Sequence, residues 1–347
     1  MRLAWFAATL FVALFGVGEL VRWIHESLAG PSWWAIDLDL WLRAGGRLVA
    51  GEALYADPAF LYPPAAAVLA VPLRAVDPFA LSLGYAAAKV ALAVAAVAIL
   101  GPDRPIGERA LAVVALVGSL PFLHDVFLGN ANVLLAGASA RAVFARPSPR
   151  SGVALGVAAA VFAKPLLVPV LLWLLVFRRP VLAGTVIAGL ATTTAGLLLA
   201  GPAAYVAWVG ALAGGSRYAA PFAGNHGVTS LVPELWAPVA GMVTLGLVLV
   251  LWRRWPETGL AWAVTSGILI APYAGTYSAL PIAVAMPAFL ARQPRVALAI
   301  VAVSPIATTI PLPFYAAAIL LAALLFREGR GAGSAADPDP GLATMPA

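Results

Sequence analysis

The chain is 347 residues long, 63% hydrophobic and 10% charged, with a formal net charge of +6 and no cysteine. Its mean hydropathy of +0.96 is more than a water-soluble core of this mass can use, because such a protein must turn too much surface to water; it predicts an integral membrane protein. No disulfide or thiolate metal site is available, and arginines scattered between apolar runs, with no basic stripe interleaved with aromatics, read as topology signals and not as a nucleic-acid surface.

The first apolar run, 3–22, is long enough to cross the hydrocarbon, lacks a small-residue cleavage site and leads into Trp23, Trp33 and Trp34. It predicts a retained helix with an interfacial aromatic belt beyond it. Each further crossing needs about 20 apolar residues, fewer where a helix is short or broken at a functional site. On that ruler the later helices are 79–100, 107–122, 131–145, 151–163, 166–177, 181–200, 235–252, 258–272, 277–291, 295–310 and 313–327. The expected fold is all-α: a polytopic membrane bundle of about 12 spanning helices with interfacial helices in the first outer loop. It forms one domain over 1–328. The tail 329–347, rich in Gly, Ala, Asp and Pro, buries too little apolar surface to order itself and is expected as a disordered cytoplasmic terminus.

Orientation follows from the short loops. Arg2, Arg104, Arg109, Arg146, Arg150, Arg178, Arg179, Arg253, Arg254, Arg292, Arg295, Arg327 and Arg330 fall on one side, the cytoplasm, if 61–75 does not cross. The opposite face then receives 25–78, 124–130, the turn at Lys164-Pro165, 201–230 and short turns near Pro272 and Pro311. In the rival topology 61–75 crosses and 151–177 is a single helix. That arrangement places Arg104, Arg109, Arg146 and Arg150 outside and Lys164 at mid-membrane, against the charge rule. No inverted repeat of the kind many transporters carry is evident.

The odd polar residues collect on the outer face. Asp37 and Asp39 have period two, so on a helix they point about 160–200° apart and only one can face a common site. A carboxylate at a membrane edge can act as a general base; equally, Asp favours the first turn of a helix, and spacing alone does not separate the two. For Asp39 the helix-start reading is preferred. Lys164 precedes a helix-breaking proline, where its ammonium can bind a substrate phosphate or simply snorkel to lipid phosphates. Lys89 is a second cation within an apolar run, with no partner that the sequence identifies.

His124-Asp125 and Gly129-Asn130-Ala131-Asn132 form one polar cap, and Asn225-His226 with Thr229-Ser230 forms another. Three histidines and separated carboxylates give no cluster at metal-ligand spacing, so no metal is expected. There is no Walker loop, no GxSxG elbow and no GxGxxG after a strand, which argues against a nucleotide sugar held by a Rossmann domain.

The order of these features is similar to a known pattern. One helix leads to the outer-loop Asp37, then Trp41; Ala50-Gly51-Glu52-Ala53-Leu54-Tyr55 follows, then Phe60-Leu61-Tyr62-Pro63-Pro64 with Val71-Pro72-Leu73, then Leu128-Gly129-Asn130-Ala131-Asn132 and the run from Gly152 to Lys164-Pro165. From the N-terminus to about residue 290 the chain resembles the family-87 glycosyltransferases of the GT-C superfold, which include polyprenyl-phosphate-mannose-dependent mannosyltransferases of actinobacteria. GxxLY with YPP after a first helix is the strongest part.

The resemblance implies a sugar donor on polyprenyl phosphate, mannose first, and a lipid-linked or cell-envelope glycan acceptor. Transfer would be inverting, at the extracytoplasmic face of a multi-pass cell-membrane enzyme surrounded by membrane lipids. It needs no cofactor. Asp37 matches the catalytic base, and transfer from a β-linked donor would give an α-linkage. Lys164, Asn130 and Tyr62 match positions that would hold the leaving phosphate, and Asn225 and His226 stand where relatives often read Asn-Gln-Ser. Two departures stand out. Relatives often carry adjacent histidines where this chain has Pro272-Tyr273-Ala274-Gly275-Thr276-Tyr277-Ser278, and their Gly-Gln is here Gly129-Asn130. The same scaffold serves arabinofuranose transfer from decaprenyl phosphate, and a lipid or glycan transporter is the rival from another class.

Overall fold

The computed structural model describes residues 2–29, 35–100, 105–164 and 167–215, with the single helical positions 239, 242, 243, 246 and 250 beyond them. Among the described residues the chain is helical and contains no strand. The expected helices 235–252, 258–272, 277–291, 295–310 and 313–327, the tail 329–347, and Asn225 and His226 lie outside the described residues.

Helix α1 (Arg2–Ala29) precedes α2 (Ile36–Ala50), which carries Asp37 and Asp39 in its first turn and Arg47 in its last, as the helix dipole favours. Gly51, at φ 70°, ends α2 in the left-handed conformation that glycine adopts without cost. A 3-10 turn (Leu54–Ala56) leads to α3 (Pro64–Leu73), whose first residue is a proline with the φ a helix start requires. Helices α2 and α3 approach closely at Gly45, where a Cβ would stand 3.1–3.2 Å from the backbone of Ala67, Ala70 and Val71. At 10 residues, α3 is about 15 Å long, half a hydrocarbon thickness, and it packs against α2.

Helix α4 (Pro78–Leu100) follows, then α5 (Ile106–Val117), α6 (Leu120–Leu128) and α7 (Asn132–Phe144). The sequence predicts one helix over 107–122 and a polar cap after it. The chain instead breaks at Gly118-Ser119, because Ser119 is extended and Pro121 two residues later can supply no N–H to an unbroken ladder. Residues 120–128 then form a helix of their own.

Helices α8 (Pro149–Phe162) and α9 (Val168–Phe177) stay separate, since Ala163 is left-handed at φ 42° and no single helix can pass through it. Helix α10 (Arg179–Ala200) packs against α8 so closely that a Cβ on Gly152 would strike Val181 O, one on Gly156 would strike Thr185 O, and one on Gly184 would strike Pro149 O. From Gly152–Val181 to Gly156–Thr185 the contact advances four residues on both helices, so α8 and α10 run parallel and α9 returns the chain between them. Arg178 Nη1 accordingly donates to Ala145 O at 2.9 Å, at the end where α8 begins. The turn containing Arg146 and Arg150, and the pair Arg178-Arg179, therefore share one end of the bundle, and Lys164 lies at the other.

Residues 201–230 are expected as an outer segment; their first part is helix α11 (Pro202–Gly215), opened by Gly201 and Pro202. Among the described residues two helices, α4 and α10, are long and apolar enough to cross a membrane. Among the described residues the larger groups of buried side chains are Leu135, Leu155, Trp173 and Leu174 between α7 and α10; Leu38, Trp41, Leu54 and Phe60 around α2 and α3; and Val97, Leu116, Phe122 and Val133 between α4 and α7. The start of α7 touches each of these groups, through Leu135, Ala131 and Val133.

Candidate active site

The turn between α6 and α7 is built to approach the start of α2. Gly129 closes α6 at φ 68°, and a Cβ there would come within 2.9 Å of Leu38 Cβ and 3.1 Å of Ala35 Cα. Only glycine meets both conditions. The contact is fixed by the Ala35 N–H, which donates to Phe127 O at 2.7 Å. Ala35 is itself left-handed at φ 57°, and it begins the helix that carries Asp37.

This docking brings Asn130 to Asp37. Asn130 Nδ2 donates to Asp37 Oδ2. On its other side Asn130 Oδ1 accepts from Lys164 Nζ at 2.7 Å, from Asn132 Nδ2 at 2.9 Å and from the Ala131 N–H at 2.7 Å. Lys164 Nζ also donates to Asn132 Oδ1 at 3.1 Å. One buried amide thus links a carboxylate and an ammonium that are 127 positions apart in the chain, for each hydrogen-bonds to a different end of it. Lys164 stands immediately after the left-handed Ala163. The two non-glycine residues with positive φ among the described residues therefore introduce the two charged groups of the site, and such outliers persist where surrounding structure fixes them, often at functional positions.

Tyr62 joins from the loop before α3. Its ring centroid lies 6.0 Å from Lys164 Nζ, within cation–π reach. Trp41, one turn after Asp37 and so on the same face of α2, meets Tyr62 edge-on at 5.4 Å, Tyr85 at 6.0 Å and Phe162 at 5.3 Å. Tyr55 holds this aromatic wall by donating its hydroxyl to Tyr62 O at 2.9 Å. Asp37 is half-buried against it, and burial raises its carboxyl above the usual range, opposed by the Lys164 charge and the Asn130 hydrogen bond. Burial likewise lowers the Lys164 ammonium, to about 8, opposed by Asp37 and then Asp125.

Asp39 points the other way. It is exposed and pairs with Arg43 Nη1 at 3.2 Å one turn along α2, as suits a residue that starts a helix. An open groove of about 480 Å³ lies on that face, lined by Asp39, Arg43, Arg47, Glu52 and Arg74 among others; Asp37 is not part of its lining.

Beneath the site lies a contact that the sequence does not reveal. Lys89 on α4 meets Asp125 on α6: Nζ lies 2.8 Å from Oδ1, and both side chains are fully buried. By sequence Lys89 needs a partner and Asp125 belongs to an outer polar cap; the helical periodicity of 120–128, recognised as such, turns Asp125 inward. Among the described residues, no three or more His, Cys, Asp and Glu side chains stand close enough together to hold a metal ion.

The structure thus brings together Asp37, Asn130, Lys164 and Tyr62 as a candidate site, with Asn132 as a further acceptor that the sequence places only in the general polar cap. No curated protein and no solved structure matches the chain. The family model described as Glycosyltransferase family 87 matches residues 60–274, a stretch that begins after Asp37 and contains Tyr62, Asn130, Lys164, Asn225 and His226. With more than half of its length matched, the chain belongs to glycosyltransferase family 87.

Proposed function

We propose that this glycosyltransferase moves a sugar, mannose first among candidates, from a polyprenyl-phosphate donor to a lipid-linked or cell-envelope glycan. The reaction takes place at the extracytoplasmic end of a multi-pass membrane bundle. The observation that carries the reading is the single Asn130 amide shared by the Asp37 carboxylate and the Lys164 ammonium. Inverting transfer needs those two functions close together: a base on the attacking oxygen and a cation on the departing phosphate.

In this scheme Asp37 accepts the proton of the acceptor hydroxyl as its oxygen bonds to the anomeric carbon. The bond from that carbon to the phosphate oxygen breaks, and polyprenyl phosphate departs with the electron pair. Lys164 offers it a point charge and Tyr62 borders it, in a setting where fixed charge counts for more than in water. Asn130 holds both groups in register before substrate arrives, which is where most of the advantage of a preformed site lies. Asn225 and His226 are proposed to contact the donor from the segment after α11. The arginines at the opposite end of α8 and α10 support the orientation, since the charge rule assigns that end to the cytoplasm.

The test is transfer by the purified protein from a panel of defined polyprenyl-phosphate sugars, including mannose and arabinofuranose, to membrane glycolipids, with Asp37→Asn alongside. We expect mannose to transfer fastest and Asp37→Asn to lose roughly 10²- to 10⁴-fold in rate without loss of folded protein. Arabinofuranose as the better donor would reassign the sugar. An Asp37→Asn variant as fast as the wild type would remove the proposed base.

A further inference from the structure

We infer that the buried Lys89–Asp125 pair, with Tyr85, is a positioning device that sets the Asn130 amide and so the geometry between Asp37 and Lys164. The inference rests on the proposed roles of those two residues. The polar groups of the pair converge on the turn preceding α7. Asp125 Oδ2 accepts the Asn132 N–H at 2.9 Å, and Asp125 O accepts the Asn130 N–H at 2.9 Å. Lys89 Nζ donates to that same Asp125 carbonyl at 2.8 Å while pairing with the carboxylate at 2.8 Å. The ammonium also stands 4.3 Å from the centroid of the Tyr85 ring, and the Tyr85 hydroxyl donates to Asn130 O at 3.0 Å. Both backbone polar groups of Asn130 are thus anchored from below, leaving its side chain to bridge Asp37 and Lys164 above.

Stability alone is a poor account of such a pair. Removing two charges from water costs about what their attraction returns, and apolar replacements of similar volume are often neutral or better. What an apolar pair lacks is the carboxylate that accepts the Asn132 N–H and the ammonium that holds both the Asp125 carbonyl and that carboxylate in place. Misplacing a reacting group by about 1 Å can lower a rate by roughly a hundredfold, so the orientation of one amide is enough to matter.

Removing either charge alone would strand the other inside the protein. The test therefore uses Lys89→Met together with Asp125→Leu, which removes both charges and the acceptor of the Asn132 N–H, and separately Tyr85→Phe, which deletes only the hydroxyl. Transfer from the donor panel is measured in each, alone and combined with Asn130→Ala. We expect kcat to fall roughly tenfold or more in the paired variant and about three- to tenfold in Tyr85→Phe, with KM for donor within about twofold. Combined with Asn130→Ala, neither should cost anything further, because both act through that residue. Unchanged kcat, or losses that multiply with that of Asn130→Ala, would overturn the inference. Asp37→Asn in the same assay keeps the two ideas apart: if it retains full activity while the non-additivity with Asn130→Ala persists, the base is lost and the positioning stands. If no donor on the panel is turned over, the titration of Lys164, followed by NMR of isotopically methylated lysine, must differ between wild type and Tyr85→Phe, which removes no charge, and an unchanged titration overturns the inference.

Discussion

Gly129 rests against Leu38 so closely that a methyl group on the first would press on the Cβ of the second, 2.9 Å away. That contact joins the α6–α7 turn to the helix bearing Asp37. Gly129→Ala therefore meets two obstacles, a left-handed φ of 68° and an occupied space. The expected cost to stability is about 1–3 kcal/mol. The loss of transfer should exceed what the loss of folded protein accounts for, because the turn must lift Asn130 from Asp37. Thermal unfolding in detergent beside specific activity per folded molecule separates the two; a drop in stability with normal specific activity would contradict the prediction.

The rate should rise and fall with pH. Burial holds Asp37 above the ordinary carboxylate value of 3.8, with Lys164 and Asn130 opposing, and as the proposed base it must be ionised, so activity is expected to decline as pH falls through that raised value. Burial lowers Lys164 to about 8, and as the proposed phosphate-binding cation it must be protonated, so activity is expected to decline again above about pH 8. The two limbs belong to the interacting pair rather than to either residue alone. Lys164→Arg should work more slowly yet lose the alkaline limb, since a guanidinium stays charged to about pH 12. An alkaline limb unmoved in that variant would assign it to another group. For folding the sign reverses. The folded protein releases this proton near 8 and the unfolded chain near 10.5, so the folded state binds fewer protons across that window and the contribution of Lys164 to stability grows as pH rises through it.

Gly184→Val places a branched side chain where α10 meets the first turn of α8, against Pro149 O. Parting the two helices should cost about 1–3 kcal/mol. Since α8 ends next to Lys164, we also expect weaker donor binding, seen as a raised KM at a temperature where the variant is still folded. A stability equal to wild type would mean that the two helices tolerate separation.

Much of this architecture is legible in residue order. The runs 79–100, 131–145, 151–163, 166–177 and 181–200 appear as α4, α7, α8, α9 and α10 with ends displaced by one or two residues, because long apolar stretches between Gly, Pro and Arg leave few alternatives. Asp37, Asn130 and Lys164 each stand out in the sequence, and the chain brings them together. Their bridging through one amide is not legible, because it depends on the close approach that Gly129 allows to Leu38, and a glycine in a polar turn serves equally well as an ordinary helix stop. The Lys89–Asp125 pair is hidden for a related reason. The residues lie 36 positions apart on two helices, and a segment containing His124 and Asp125 looks too polar to turn inward. Likewise α11 merges into an outer segment, since its apolar stretch of 14 residues is short for a crossing.

Ala163 carries a consequence of its own. At φ 42° this residue occupies a region that disfavours any side chain, by roughly 1–2 kcal/mol, and it does so in the link directly ahead of Lys164. Exchanging it for glycine should relieve that burden and raise the melting temperature. The same exchange would let the lysine sample orientations that alanine forbids, so the hardier protein should be the slower enzyme. Here, durability and speed pull in opposite directions through a single methyl group.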